Sequence, residues 1–428
     1  MRVIVNFISK IGVDSVARLI GFLTLPFITR TLGPEGYGAF SYYFVIASYY
    51  GFFIDFGYLN YGTNKLIEKE NSEDVISRIL SLQILTALLS YSVLLISGFL
   101  LFDRDKFLHI FFFSIIFIPQ IIAIRYFYLA GNKLYFNSLA ELAGQAAYAI
   151  TVFTVFAADP SVETLIALAV LQALVTGLVL FLPYIRKHRI RIDLNLRKNI
   201  DTVKEAYKLG LSSKAEGVTS SFIILMTGTL LSESAVGYYN ASYKIYLILL
   251  TLIQGLSYAL MPVLLKNVKE AKSERTGRIS LIFYSFLLSG LVLGSATMIF
   301  SERIILLMFG AEFMEAVPVL QWFAVTIILW PVLMFTGLML LAQNRHTSLL
   351  ALSLVSMISS IVFSVVLIRY FGLNGSAMVL PSVAVISNIA GLIILSRSAG
   401  LESSGIAGIM SPLNFIRGLK ETYHRIRS

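Results

Sequence analysis

The sequence predicts an all-α polytopic membrane protein of about twelve transmembrane helices, and three observations carry that expectation. Of its 428 residues, 57% are hydrophobic and only 14% are charged, too little charge to cover a soluble chain of that size. The apolar residues collect into runs of roughly 20, the length a helix needs to cross a ~30 Å hydrocarbon core, rather than at amphipathic spacing. Ile79 to Phe102 and Val319 to Ala342 are two such runs. Short polar breaks separate them along the whole chain, which excludes a single anchor and a soluble α/β enzyme. The alternating ~10-residue strands of a β-barrel are absent.

Taken in order, the first half offers helices at 8–30, 36–60, 78–102, 107–129, 135–157 and 163–185. The second half offers 206–231, 236–262, 279–300, 317–342, 348–369 and 375–396. The first run passes through Pro26 and Phe27 to Arg30 without a small-residue cleavage site, so a retained helix is expected there, not a signal peptide. Pro26, Pro119, Pro331 and Pro381 fall inside apolar spans and should kink them.

The net charge of +10 is distributed unevenly. Both termini and alternate loops hold most of the Lys and Arg, including the cluster Arg186, Lys187, Arg189, Arg191, Arg197, Lys198, Lys204 and Lys208. The opposite side holds only Arg30, Arg104, Lys106, Arg303 and Arg369. The positive-inside rule then puts both termini in the cytoplasm of a cell inner (plasma) membrane protein. The expected organisation is an N-terminal six-helix bundle over 1–185, a basic cytoplasmic linker over 186–205, a C-terminal six-helix bundle over 206–397 and a basic tail over 398–428. Within that tail, 411–428 should form a short amphipathic helix at the membrane surface.

The halves echo one another. Leu32 and Gly38 of LGPEGYG align with Leu231 and Gly237 at one offset, and LAGNK (Leu129 to Lys133) aligns with LAQNR (Leu341 to Arg345). Both matches fall at equivalent places, after helices one and seven and after helices four and ten. With six helices between equivalents, the repeat is the parallel type, pseudo-symmetric about an axis along the membrane normal, with a cavity between the halves.

Charge inside a membrane costs roughly 2.5–3.5 kcal/mol at the helix centre and so requires a reason. Candidate cavity cations for substrate binding are Arg18, Lys214 and Lys244; Lys214 and Lys244 have no opposite charge one turn away. Candidate cavity acids, for coupling to an ion, are Asp14, Asp55 and Glu216. Asp14 lies four residues before Arg18 and could instead neutralise it, while Arg125 and Glu141 sit near helix ends. Tyr49 and Tyr50, well inside helix two, are candidate sugar contacts. The four histidines are scattered without metal-ligand spacing, no cysteine occurs, and no GxxxxGK[ST] loop is present. Neither a catalytic residue, a metal nor a cofactor is expected, and the partner is a membrane-borne substrate rather than nucleic acid.

Several segments together carry a resemblance: ITRTLGPEGYGAFSYY (Ile28 to Tyr43), DFGYLNYGTNK (Asp55 to Lys65), YLAGNK (Tyr128 to Lys133), LMFGAEFMEAVPVLQWFA (Leu307 to Ala324) and YFGLNGSA (Tyr370 to Ala377). In order and spacing over nearly the whole chain, they resemble the Wzx-type polysaccharide or O-antigen flippases of the multidrug/oligosaccharidyl-lipid/polysaccharide exporter superfamily. The resemblance implies two six-helix bundles in a V around a cationic cavity. It also implies export of an undecaprenyl-diphosphate-linked oligosaccharide, with a glycan polymerase and glycosyltransferases as expected partners. Two alternatives stay open: an ion-coupled drug/cation antiporter of the same superfamily, which needs cavity carboxylates, and a membrane glycan polymerase or transferase, which needs a large external loop.

Overall fold

The computed structural model describes residues 2–193, 196–268, 272–398, 408–416 and 418, and these residues are helical almost throughout, with no strand among them. The chain divides into two compact units, Met1–Lys214 and Ala215–Ser428.

The first unit opens with α1 (Arg2–Gly51), two helices joined at Gly33, whose φ of 68° and ψ of 179° only glycine adopts without strain. Pro34 then starts the second helix, where its missing N–H costs nothing. Next come α2 (Tyr58–Ile67), α3 (Ser72–Leu101), α4 (Arg104–Ser114), α5 (Phe117–Ile122) and α6 (Arg125–Ala130). The unit continues through α7 (Leu134–Thr151), extended by a π-turn over Val152–Phe156, and α8 (Val162–Ile185). Asn71 caps α3 by accepting from the Glu73 N–H at 2.9 Å, and Ser161 caps α8 by accepting from the Thr164 N–H at 3.2 Å. The second unit is built from α9 (Leu196–Leu230), α10 (Glu233–Val268), α11 (Lys272–Met308), α12 (Ala316–Ala342) and α13 (His346–Ser398). α13, like α1, is two helices turned through a glycine, Gly372, with φ 57° and ψ −133°.

Eight helical stretches among the described residues are long and apolar enough to cross a membrane. Two of them, Val16–Gly51 and His346–Ser396, are each two helices joined at a non-helical glycine and, too long for one ~30 Å crossing, count twice, and α9 and α10 are long enough for one crossing each. Twelve passes result. The outward faces are strongly apolar, with Phe99, Leu307 and Leu100 each about three-quarters exposed or more (81%, 75% and 74%). Such surface is stable only against lipid or a partner. The protein is a multi-pass membrane protein.

Two expected helices are broken. The span expected at 36–60 stops at Gly51 and resumes at Tyr58, because the stretch FFIDFG between them turns at Gly57 (φ 81°). The span expected at 107–129 is three short helices, interrupted at 115–116 and 123–124. Pro119 withholds one helical N–H. Beyond it, Ala123 (φ −77°, ψ 74°) and Ile124 (φ −67°, ψ 53°) form consecutive inverse γ-turns, closed by Ile124 N–H to Ile122 O at 2.9 Å and Arg125 N–H to Ala123 O at 2.6 Å. By contrast Pro331 and Pro381 sit within uninterrupted helix.

The stretch expected as a linker from 186 to 205 is packed rather than free. The N–H groups of Arg189, Arg191 and Asp193 donate to Glu73 Oε1 (3.2 Å), Ser77 Oγ (3.0 Å) and Ser81 Oγ (2.9 Å) on α3. Two residues of extended chain advance about 6.6 Å and four residues of helix about 6 Å, so every second N–H meets every fourth side chain. α9 then begins at Leu196, ten residues before the expected helix at 206, and the boundary between units falls inside it. The start of the tail lies against α11, where the Tyr284 hydroxyl donates to Met410 O at 2.7 Å and the Tyr284 ring meets Phe415 at 4.7 Å.

The internal repeat is visible in backbone geometry. After α6, Asn132 takes φ 54°, with Asn132 N–H to Leu129 O (3.1 Å) and Lys133 N–H to Tyr128 O (2.8 Å). After α12, Asn344 takes φ 57°, with Asn344 N–H to Leu341 O (2.9 Å) and Arg345 N–H to Leu340 O (2.9 Å). Both are Schellman caps with asparagine in the left-handed position.

Candidate functional site

Lys244 lies eleven residues into α10, about 16 Å along the axis and so near the middle of a ~30 Å core. Its side chain is exposed, between exposed Leu247 and Ile248, while Tyr239, Ser242 and Tyr246 on the opposite face are buried. That buried face packs aromatically: Tyr239 and Tyr246 each lie 5.3 Å from Phe323 of α12. The helix is therefore held by one face and presents a cation on the other. Arg18 on α1 is also exposed. The side chains of Asp14, Lys214 and Glu216 lie outside the described residues, so the expected pairing of Asp14 with Arg18 has no geometry here.

Asp55 is half-buried in the break between α1 and α2, close enough to the phenols of Tyr58 and Tyr126 to act on them electrostatically. Gly57 makes that break possible. A Cβ there would stand 2.1 Å from Ala206 O and 2.6 Å from Gly210 N of α9, so the two backbones touch. Around this contact Phe56 meets Tyr207 at 4.8 Å between ring centres, and the Tyr61 hydroxyl lies 3.2 Å from Thr202 Oγ1. Arg125, immediately after the γ-turns, pairs with Glu141 at 2.5 Å, and Asn137 donates to its carbonyl at 3.2 Å. The two broken passes thus place an acid and an ion pair beside irregular backbone. Irregular backbone at membrane depth is tolerated where protein buries it or water reaches it.

Of the candidate sugar contacts, Tyr50 is engaged by Ser97 of α3 at 2.8 Å, and the Tyr49 hydroxyl is buried without a hydrogen-bond partner. The void beside Tyr50, about 150 Å³, is lined by Gly51, Ile54, Ser90, Tyr91, Leu94, Ser114 and Phe117. That space is interstitial and does not admit a water molecule, so it is not a ligand pocket. Among the described residues no three His, Asp or Glu side chains gather within reach of one ion.

The sequence reading missed an amide pair. Gln172 Nε2 of α8 donates to Gln145 Oε1 of α7 at 2.9 Å, beside Gly21 of α1, where a Cβ would stand 3.0 Å from the Gln145 amide nitrogen. The available signal was an uncharged amide in the middle of each of two apolar runs, ELAGQAAYA and AVLQALV.

Twelve passes in two compact units, with polar groups at mid-span, define a polytopic helical membrane bundle. The fold is that of the MOP superfamily. On an inward-facing multidrug resistance MATE family transporter of that superfamily the TM-score is 0.68, at 16% identity, covering 92% of this chain and 99% of that one. On the lipid II flippase MurJ in an inward closed conformation it is 0.69, at 11% identity, covering 97% and 99%. The chain belongs to the polysaccharide biosynthesis protein family, whose profile matches residues 3–268. It is similar to the teichuronic acid biosynthesis protein TuaB of Bacillus subtilis (strain 168), 24% identical over 302 residues that cover 67% of this chain. The matched region spans 61% of that relative's length.

Proposed function

We propose that the chain is a flippase that carries an undecaprenyl-diphosphate-linked oligosaccharide from the cytoplasmic to the outer leaflet of the inner membrane by alternating access. Both termini then lie in the cytoplasm, and a glycan polymerase and glycosyltransferases act on the same substrate. The observation that carries this reading is the exposed cation Lys244 at mid-depth on a helix held by its opposite face. Its cost against acyl chains, roughly 2.5–3.5 kcal/mol, is removed if that face is wetted and meets an anion. A lipid diphosphate is such an anion. The sugars supply the need for transport, since each hydroxyl entering hydrocarbon unpartnered costs roughly 4–8 kcal/mol. Membership in a polysaccharide biosynthesis family supports the same substrate class. Arg18 and Lys214 are the further cations assigned to the path, with Asp14, Asp55 and Glu216 as the acids that would couple it to an ion. Tyr49 and Tyr50 are the tyrosines assigned to a sugar contact.

The antiporter reading shares the fold, which aligns about equally with one multidrug transporter and a lipid flippase. The prediction separates them: Lys214→Ala and Lys244→Ala should each abolish surface glycan in the native host while folded protein persists in the membrane. Normal glycan in both strains overturns the cation-lined path.

A further inference from the structure

Gln145, Gln172 and Gly21 lie at one depth. Gln145 is eleven residues past the start of α7 and Gln172 ten past the start of α8, each about 15 Å along its axis, at the middle of the core. Gly21 is twelve residues before the turn at Gly33, about 18 Å from it. All three are half-buried, so the cluster is open on one side.

The chemistry of the pair leaves a defined vacancy. Each amide has a C=O and an NH₂. The one bond between them consumes one oxygen and one nitrogen, leaving a carbonyl on one residue and an NH₂ on the other. That count is the same whichever way the two amides are flipped. An open donor beside an open acceptor at mid-membrane is costly against acyl chains and matches a hydroxyl, which donates and accepts at once. Gly21 has no side chain and so gives the Gln145 amide room to lie against α1, which fixes its position in the pair. Half-buried Tyr148 is one turn beyond Gln145, and exposed Arg18 is one turn before Gly21. An uncharged hydroxyl-reading group therefore stands next to a cation, the order of groups that a sugar joined to a phosphate would meet.

We infer that Gln145 and Gln172 form a subsite for the head-group sugar, reading its hydroxyls at mid-membrane. This rests on the lipid-linked sugar reading above and names the residues that select the sugar. The test uses the full chain in nanodiscs, with undecaprenyl diphosphate and the same lipid carrying a neutral hexose, an N-acetylhexosamine or a hexuronate. Wild type binds at least one sugar-bearing lipid more tightly than the bare lipid. In Gln145→Leu/Gln172→Leu that preference falls about tenfold, while affinity for the bare lipid and the melting temperature hold, since replacing both partners of a hydrogen bond by apolar groups is nearly neutral for packing. Gly21→Ala, which keeps both amides and crowds one of them, lowers the preference in the same direction and stands in if the double variant does not fold. Preference retained in these variants, or bare-lipid affinity lost equally, overturns the subsite. A wild type with no preference for any of the sugar-bearing lipids overturns instead the transport reading on which it rests.

Discussion

The second and eighth passes are equivalent under the internal repeat, as are the fourth and tenth, yet the two units build them differently. In the first unit the second pass breaks over 52–57 and the fourth over 115–116 and 123–124. In the second unit α10 and α12 run unbroken for 36 and 27 residues, although α12 contains Pro331. Proline alone therefore does not decide where a membrane helix opens. What distinguishes the first unit is a second contribution at each break: Gly57 with its positive φ and its backbone contact to α9, and the paired γ-turns that lead into the Arg125–Glu141 ion pair. The first unit carries irregular backbone with its charges satisfied nearby. The second carries Lys244 on regular helix, exposed.

The largest effect expected from this contrast comes from glycine. Gly57→Ala places a methyl 2.1 Å from a carbonyl oxygen at a φ of 81°, and should destabilise by more than about 3 kcal/mol. The yield of monodisperse protein and its melting temperature in detergent would show it. Gly255, in the unbroken α10, has nothing within 4 Å of its missing Cβ, so Gly255→Ala should stabilise by about 0.5–1 kcal/mol. Equal melting of the two variants would mean that the break at Gly57 is not the close contact described.

A smaller and matched effect is expected where the units agree. Asn132 and Asn344 occupy the same left-handed cap, so valine at either should cost roughly 1–2 kcal/mol, and glycine at either should be tolerated. Thermal melts of the four variants give the comparison. A loss at one position without the other would break the equivalence of the units at these turns.

Much of the fold was legible because membrane helices are written in long apolar runs, and ten of the twelve expected spans survive with shifts at their ends. The turns were legible too, since Gly33 and Gly372 fall in the gaps left between the helices expected at 8–30 and 36–60 and at 348–369 and 375–396. The breaks were not, because hydropathy averages over a window and cannot register one glycine touching another helix 150 residues later. The charged site residues could be named from cost alone, but a cost does not say which way a side chain points. The amide pair was hidden for the opposite reason. Glutamine costs less than a charge, so single glutamines in apolar runs raise no alarm until two are seen 2.9 Å apart.

The smallest effect tests how the broken second pass is fastened at its end. Lys65 of α2 lies 3.3 Å from Glu68, 3.7 Å from Glu70 and 3.3 Å from Glu205 of α9. The hydrogen bond that Lys65 donates to Glu205 is the largest of the influences that hold its ammonium above the ordinary lysine pKa. A raised lysine pKa means that the folded state keeps a proton the unfolded chain would release. Its stabilisation is thus complete below the unfolded pKa and disappears as pH climbs through the raised folded one. Lys65→Gln should therefore lower stability by under about 1 kcal/mol at neutral pH and low salt. The difference from wild type should stay constant through the neutral range and close in strong alkali. A melting difference that persisted unchanged into strong alkali would instead assign the loss to the packing of the Lys65 stem rather than to its charge.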